Sequence, residues 1–89
     1  MRKIWDEKAW EDYLYWQFHD KQMLKRVNML IRDVERSPFD GIGKPEPLRG
    51  DLSGFWSRRI NDEHRLVYRV QNGMLEIASC TMADRDHYS

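Results

Sequence analysis

The sequence predicts an α+β domain in the order β-α-α-β-β-β, with an N-terminal helix hairpin packed on a twisted, mainly antiparallel sheet. Three observations predict it. Residues 7–36 carry apolar side chains at three- and four-residue steps, the helical period. Residues 55–81 alternate with period two between turn signals, the mark of half-buried strands. At 89 residues, the chain has room for one modest core and hence for a single domain over residues 1–89.

Lys3-Ile4-Trp5 reads as a short first or edge strand. Asp6 stands where an N-cap belongs, and Glu7 suits the positive end of a helix dipole. Ala9, Trp10, Tyr13, Leu14, Trp16 and Gln17 continue that helix, although its aromatics nearly encircle it. Some of Trp10, Tyr15, Trp16 and Phe18 must then meet the sheet or lie exposed. Asp20 caps a second helix, whose stripe is Met23, Leu24, Val27, Leu30, Ile31 and Val34. Lys25, Arg26, Asn28, Arg32 and Asp33 fall on its wet side, and Ser37-Pro38 ends it near Arg36. Pro38 to Gly54 reads as a loop, in which Pro45 and Pro47 hold Glu46 with little backbone freedom. In the next strand Phe55, Ser57 and Arg59 alternate with Trp56, Arg58 and Ile60. After the Asn61-Asp62-Glu63 turn, Leu66, Tyr68 and Val70 share one face, and Arg65, Val67 and Arg69 the other. Asn72-Gly73 signals a hairpin into a last strand from Met74 to about Thr81. Residues 82–89 are too polar for a core.

Composition narrows the function. Fifteen basic residues balance 15 acidic ones, so bulk charge alone does not hold this chain to nucleic acid; a polyanion site needs its cations gathered on one face. The single cysteine, Cys80, cannot form an internal disulfide or a multi-cysteine zinc site and suits a small core position. With no membrane-length apolar run and no signal-peptide pattern, the expectation is a cytoplasmic protein without membrane association.

Arg59 and Arg65 flank one tight turn, so a hairpin brings both guanidinium groups onto one sheet, where their forks match phosphate oxygens. Glu46 and His87 can supply a base and an acid. No acidic cluster suggests a metal pair. These groups permit a metal-free cleavage in which the ribose 2′-hydroxyl attacks the adjacent phosphate, a route open to RNA and closed to DNA. Each of these residues also has an ordinary reading as a solvated surface side chain.

Trp5, Trp10-Glu11-Asp12-Tyr13-Leu14-Tyr15-Trp16-Gln17, Gly43-Lys44-Pro45-Glu46-Pro47-Leu48, Leu52-Ser53-Gly54-Phe55-Trp56-Ser57-Arg58-Arg59-Ile60 and His64-Arg65-Leu66-Val67-Tyr68 closely resemble the YoeB (Txe/YoeB) family. These are toxins of bacterial toxin–antitoxin pairs within the RelE-like superfamily. The resemblance implies a RelE/YoeB-like fold and a ribosome-dependent endoribonuclease that cuts mRNA in the A site without metal or cofactor. It implies Glu46 as general base, Arg65 and Arg59 as supports of the scissile phosphate, His87 as general acid and Tyr88 as the group orienting the substrate. Arg49, Lys44 and Arg58 complete the expected RNA-binding set. Implied partners are mRNA on the ribosome, a YefM-like antitoxin and, in some relatives, a second copy. The chain departs from the family pattern at its end, where Ala83-Asp84-Arg85-Asp86 precedes His87-Tyr88 and Ser89 follows. The alternative this raises is a catalytically weakened member that only binds the ribosome or an antitoxin.

Overall fold

The computed structural model describes residues 1–81. Strand β1 (Arg2–Trp5) leads into α1 (Glu7–His19) and, with only Asp20 between them, α2 (Lys21–Arg36). Strands β2 (Glu46–Pro47), β3 (Trp56–Arg59), β4 (Arg65–Gln71) and β5 (Met74–Ser79) follow, with a 3-10 turn at Gly50–Leu52. The sheet order is β1-β5-β4-β3-β2, antiparallel except for β1 beside β5. The α+β expectation holds, with one strand more than the periodicity showed. Residues 46 and 47, expected in a loop, pair with β3 at the sheet edge, and the Leu48 N–H donates to the Phe55 carbonyl (2.9 Å). An edge strand tolerates proline because one side of its backbone faces no neighbour.

Both helices follow their sequence patterns, and the exceptions are informative. Asp20 caps α2 as expected, accepting from the N–H groups of Gln22 (3.1 Å) and Met23 (3.2 Å). Asp6 occupies the N-cap position of α1, but its side chain makes no capping bond. Its N–H instead extends the parallel ladder to the Ile77 carbonyl (3.0 Å). Of the α1 aromatics, Trp16 is buried, whereas Trp10, Tyr15 and Phe18 are exposed. The α2 stripe of Met23, Val27, Leu30, Ile31 and Val34 packs with Leu66, Tyr68, Leu75, Ile77 and Cys80 into one core. Asn72 (φ 53°) and Gly73 (φ 73°) make the expected tight hairpin between β4 and β5.

Asp33 is not on the wet side of α2. It is buried and paired with Arg58, which is 0% exposed. Arg58 Nη1 reaches Asp33 Oδ2 (2.5 Å) and the Ile42 carbonyl (3.1 Å), and Nη2 reaches the carbonyls of Ser37 (2.5 Å) and Asp40 (3.0 Å). Its Nε donates to the Tyr68 hydroxyl (3.2 Å), which donates onward to the Pro38 carbonyl (2.6 Å). The Ile42 N–H returns to Asp33 (3.0 Å), and Arg36 closes on the other Asp33 oxygen. The Arg58 hydrogen bond, followed by that from Ile42, holds the Asp33 carboxyl below the usual carboxylate value, while burial pushes the Tyr68 phenol up. Residues 37–43 are therefore wrapped around one guanidinium. Gly41 and Gly43 (φ 132° and 82°) fit there because an added Cβ would lie 2.0 Å from Asp33 Oδ2 and 2.8 Å from Leu30 Cδ2, respectively.

A second buried carboxylate fixes the end of β5. Asp12 Oδ2 accepts from the Cys80 N–H (3.0 Å), the Thr81 hydroxyl (3.2 Å) and Lys8 Nζ (2.9 Å), and the Trp16 indole donates to the Cys80 carbonyl (2.7 Å). Cys80 is a buried free thiol, as its sequence position suggested.

Two measurements check this account. Arg58→Met removes one partner of a buried ion pair and should cost about 3–5 kcal/mol in urea unfolding. Arg36→Ala, at a side chain 80% exposed, should stay within about 1 kcal/mol. Burial, with a smaller contribution from Asp12, raises the Cys80 thiol to about 12. Iodoacetamide at pH 8 should therefore leave the folded protein unlabelled and modify it once urea unfolds it.

Candidate active site

The strand register builds the site. Glu46 stands opposite Ser57, Ser57 opposite Val67, and Arg59 opposite Arg65. Directly opposed residues share a face, as do alternate residues along one strand. Glu46, Ser57, Arg59, Arg65 and Val67 therefore share the sheet face away from the helices, while Arg58, Leu66 and Tyr68 point the other way. The face continues to Phe55 and Arg69, whose guanidinium lies 4.5 Å over the Phe55 ring and pairs with Glu76 (2.6 Å).

Arg65 Nη1 lies 3.2 Å from Glu46 Oε1, with the two side chains 33% and 58% exposed. An ion pair that open to water is worth only about 1 kcal/mol or less, so an incoming phosphate can take Arg65 from it. The neighbouring pair carries like charges. Arg59 directly opposite Arg65 disfavours the sheet by roughly 0.2–1 kcal/mol relative to neutral partners, and two guanidinium forks side by side form a receptor for an anion with several oxygens. Ser57, opposite Glu46 and two residues from Arg59, is buried, with its hydroxyl lacking a hydrogen-bond partner among the described residues. A buried polar group left unpaired costs roughly 1–3 kcal/mol.

The structure thus brings together three expected site residues, Glu46, Arg59 and Arg65. Arg49, next to the 3-10 turn, and Lys44, at a left-handed φ of 52°, are both exposed on the segments flanking β2. Arg58 is corrected: every direction of its guanidinium is taken by Asp33, Tyr68 and the carbonyls of residues 37–42, and it has no surface to offer RNA. Arg26, expected on the wet side of α2, donates to the carbonyls of Ile60 and Arg59 (3.3 Å each), tying α2 to the end of β3. His87 and Tyr88 lie outside the described residues. The described chain ends beside the site, since the Thr81 carbonyl accepts from the Arg65 N–H (3.3 Å). Ser57 is the residue that the sequence reading passed over. Its alternation with Arg59 was visible, but its position opposite Glu46 depends on β2.

A helix hairpin backing a sheet whose other face carries a carboxylate beside paired arginines defines a small α+β protein equipped to receive an anion. Among solved structures, a YoeB/ParE toxin from Agrobacterium tumefaciens superposes with a TM-score of 0.90 at 49% identity, covering 92% of this chain and 98% of that one. Staphylococcus aureus YoeB, solved as a heterotetramer with YefM and as a dimer, gives 0.86 at 46% identity, covering 91% of this chain and 94% of that one. The toxin YoeB of Escherichia coli K12 is 58% identical over 88 residues, 99% of this chain and all of the relative. The model of the YoeB-like toxins of bacterial type II toxin–antitoxin systems matches residues 5–88, and the chain belongs to that family.

The opposed arginines allow a check that separates function from stability. Arg59→Gln should leave the urea midpoint unchanged or raise stability by up to about 1 kcal/mol, while weakening binding of a short RNA at low salt. A clear loss of stability would mean that Arg59 holds the sheet together.

Proposed function

We propose that the chain is an endoribonuclease that cuts mRNA on the ribosome by metal-free attack of the ribose 2′-hydroxyl, and so arrests translation. The observation that carries the reading is the Glu46–Arg65 pair with Arg59 directly opposite Arg65 on one sheet face. A phosphate of the bound RNA draws Arg65 and Arg59 to its oxygens and leaves Glu46 free to accept the 2′-hydroxyl proton. The 2′-oxygen attacks phosphorus, and the arginines neutralise the charge that builds on the equatorial oxygens. His87 protonates the departing 5′-oxygen, and Tyr88 orients the substrate. Arg49 and Lys44 hold the flanking phosphates, and this reading assigns no RNA contact to Arg58.

The same arginines bind carboxylates as well as phosphates, which suits inhibition by a YefM-like antitoxin in the cytoplasm. The S. aureus relative solved with YefM supports that partner, and its dimer supports pairing with a second copy. Among the described residues, no helix is long and apolar enough to cross a membrane.

Single-turnover cleavage of mRNA on programmed ribosomes tests the reading. Products should carry 2′,3′-cyclic phosphate and 5′-hydroxyl ends, and Glu46→Ala and His87→Gln should each slow cleavage by roughly 10²–10⁴-fold, the usual contribution of general acid–base catalysis. Products with 5′-phosphate ends would falsify the mechanism. Growth arrest that survives Glu46→Ala would point to a protein that acts by occupancy alone.

A further inference from the structure

Glu46 meets two conflicting requirements. In the resting structure its carboxylate is held by Arg65. The reaction proposed above removes Arg65 to the phosphate at the moment when Glu46 must be held towards the 2′-hydroxyl. A carboxylate on a two-residue edge strand, with its one side-chain partner among the described residues gone, would swing freely. The residue directly opposite it is Ser57, 1% exposed, whose Oγ is buried with no hydrogen-bond partner among the described residues. A buried hydroxyl left without a partner is uncommon and weakens the fold, and its surroundings here are chemical: Glu46 opposite on one strand, Arg59 two residues along its own. A hydroxyl is a donor that rotates to suit its acceptor, and paired residues on neighbouring strands stand close enough for their side chains to meet.

We propose that Ser57 is a positioning residue for Glu46. When RNA phosphate takes Arg65, the Ser57 hydroxyl donates to the Glu46 carboxylate and fixes it for proton abstraction. The inference rests on the endoribonuclease reading. No proton leaves Ser57; its O–H bond stays intact, and the 2′-hydroxyl proton passes to the other carboxylate oxygen. The role also explains why a small polar side chain occupies an interior position of β3 that an alanine would fill without loss.

The test compares the parent, Ser57→Ala and Ser57→Thr in three measurements on the full chain: melting temperature, affinity for a non-cleavable 2′-deoxy mRNA on programmed ribosomes, and single-turnover cleavage rate at saturation. Ser57→Ala should melt at or above the parent temperature, bind with parent affinity and cleave roughly 10- to 100-fold more slowly, the range expected for a hydrogen bond to a charged group. Ser57→Thr, which keeps the hydroxyl, should recover most of the rate. A fall in melting temperature for Ser57→Ala would assign the hydroxyl to the fold, and a loss confined to affinity would assign it to RNA contact; either overturns the proposal. Parent-rate cleavage by Ser57→Ala overturns it as well while leaving the endoribonuclease reading intact. A parent protein that cleaves nothing removes that reading and this inference together.

Discussion

The Arg58–Asp33 pair is the interaction on which the geometry of this protein depends. A buried guanidinium is tolerable only when its donors are satisfied, and here the acceptors come from α2, from the loop after it and from Tyr68 on β4. Satisfying one charge therefore joins three parts of the chain. The loop emerges from this node at Gly43, whose carbonyl accepts from the Arg59 N–H (2.6 Å), and two residues beyond lies Pro45, which leads into Glu46. The general-base candidate thus stands on an edge strand of two residues, held by a polar network on the opposite face of the sheet.

The same strand serves both faces. Along β3, Trp56 and Arg58 turn towards the helices, and Ser57 and Arg59 turn towards the site. Arg59 extends the pattern through its main chain: its side chain faces the site, while its carbonyl receives Arg26 from α2. Because side-chain direction has a period of two, a one-residue slip would bury Arg59 and expose Arg58. The register is protected by the difference between these arginines, one with a complete set of buried acceptors and one whose side chain has none among the described residues.

Much of this was legible in the sequence. The α2 stripe, the Asp20 cap, the Asn72-Gly73 turn and the pairing of Arg59 with Arg65 all follow from local pattern, because each involves neighbours in the chain or across a tight turn. Period-two alternation grouped Arg58 with Trp56 and Ile60, but it did not say which face turns to the core, and Arg58 was expected among the RNA contacts. What the sequence could not reveal was its partner, since Asp33 lies 25 residues away and looks like an ordinary polar position on α2. Strand β2 was hidden for a related reason. Its two residues, one of them proline, carry no periodicity, and only the ladder with β3 defines them. Ser57 was hidden behind β2 in turn, because its significance depends on what lies across from it. Local signals determine elements, whereas long-range polar pairs determine which residues meet.

Arg58 and Arg65 show how one residue type is used in opposite ways. Arg58 has no exposed surface, and loss of Asp33 would leave its buried charge uncompensated. Its network is accordingly fixed. Arg65 is a third exposed and pairs with a carboxylate more exposed than itself, so replacing that carboxylate by a phosphate trades one hydrated ion pair for another at small cost. On the proposed endoribonuclease reading, a phosphate receptor needs that exchangeability, and general-base chemistry needs the carboxylate to be released by the same event. Had the Glu46–Arg65 pair been buried, substrate would have had to break a strong interaction before binding. Had Glu46 lacked a cationic neighbour, nothing would link arrival of the phosphate to release of the base. An exposed pair above a rigid buried one satisfies both demands.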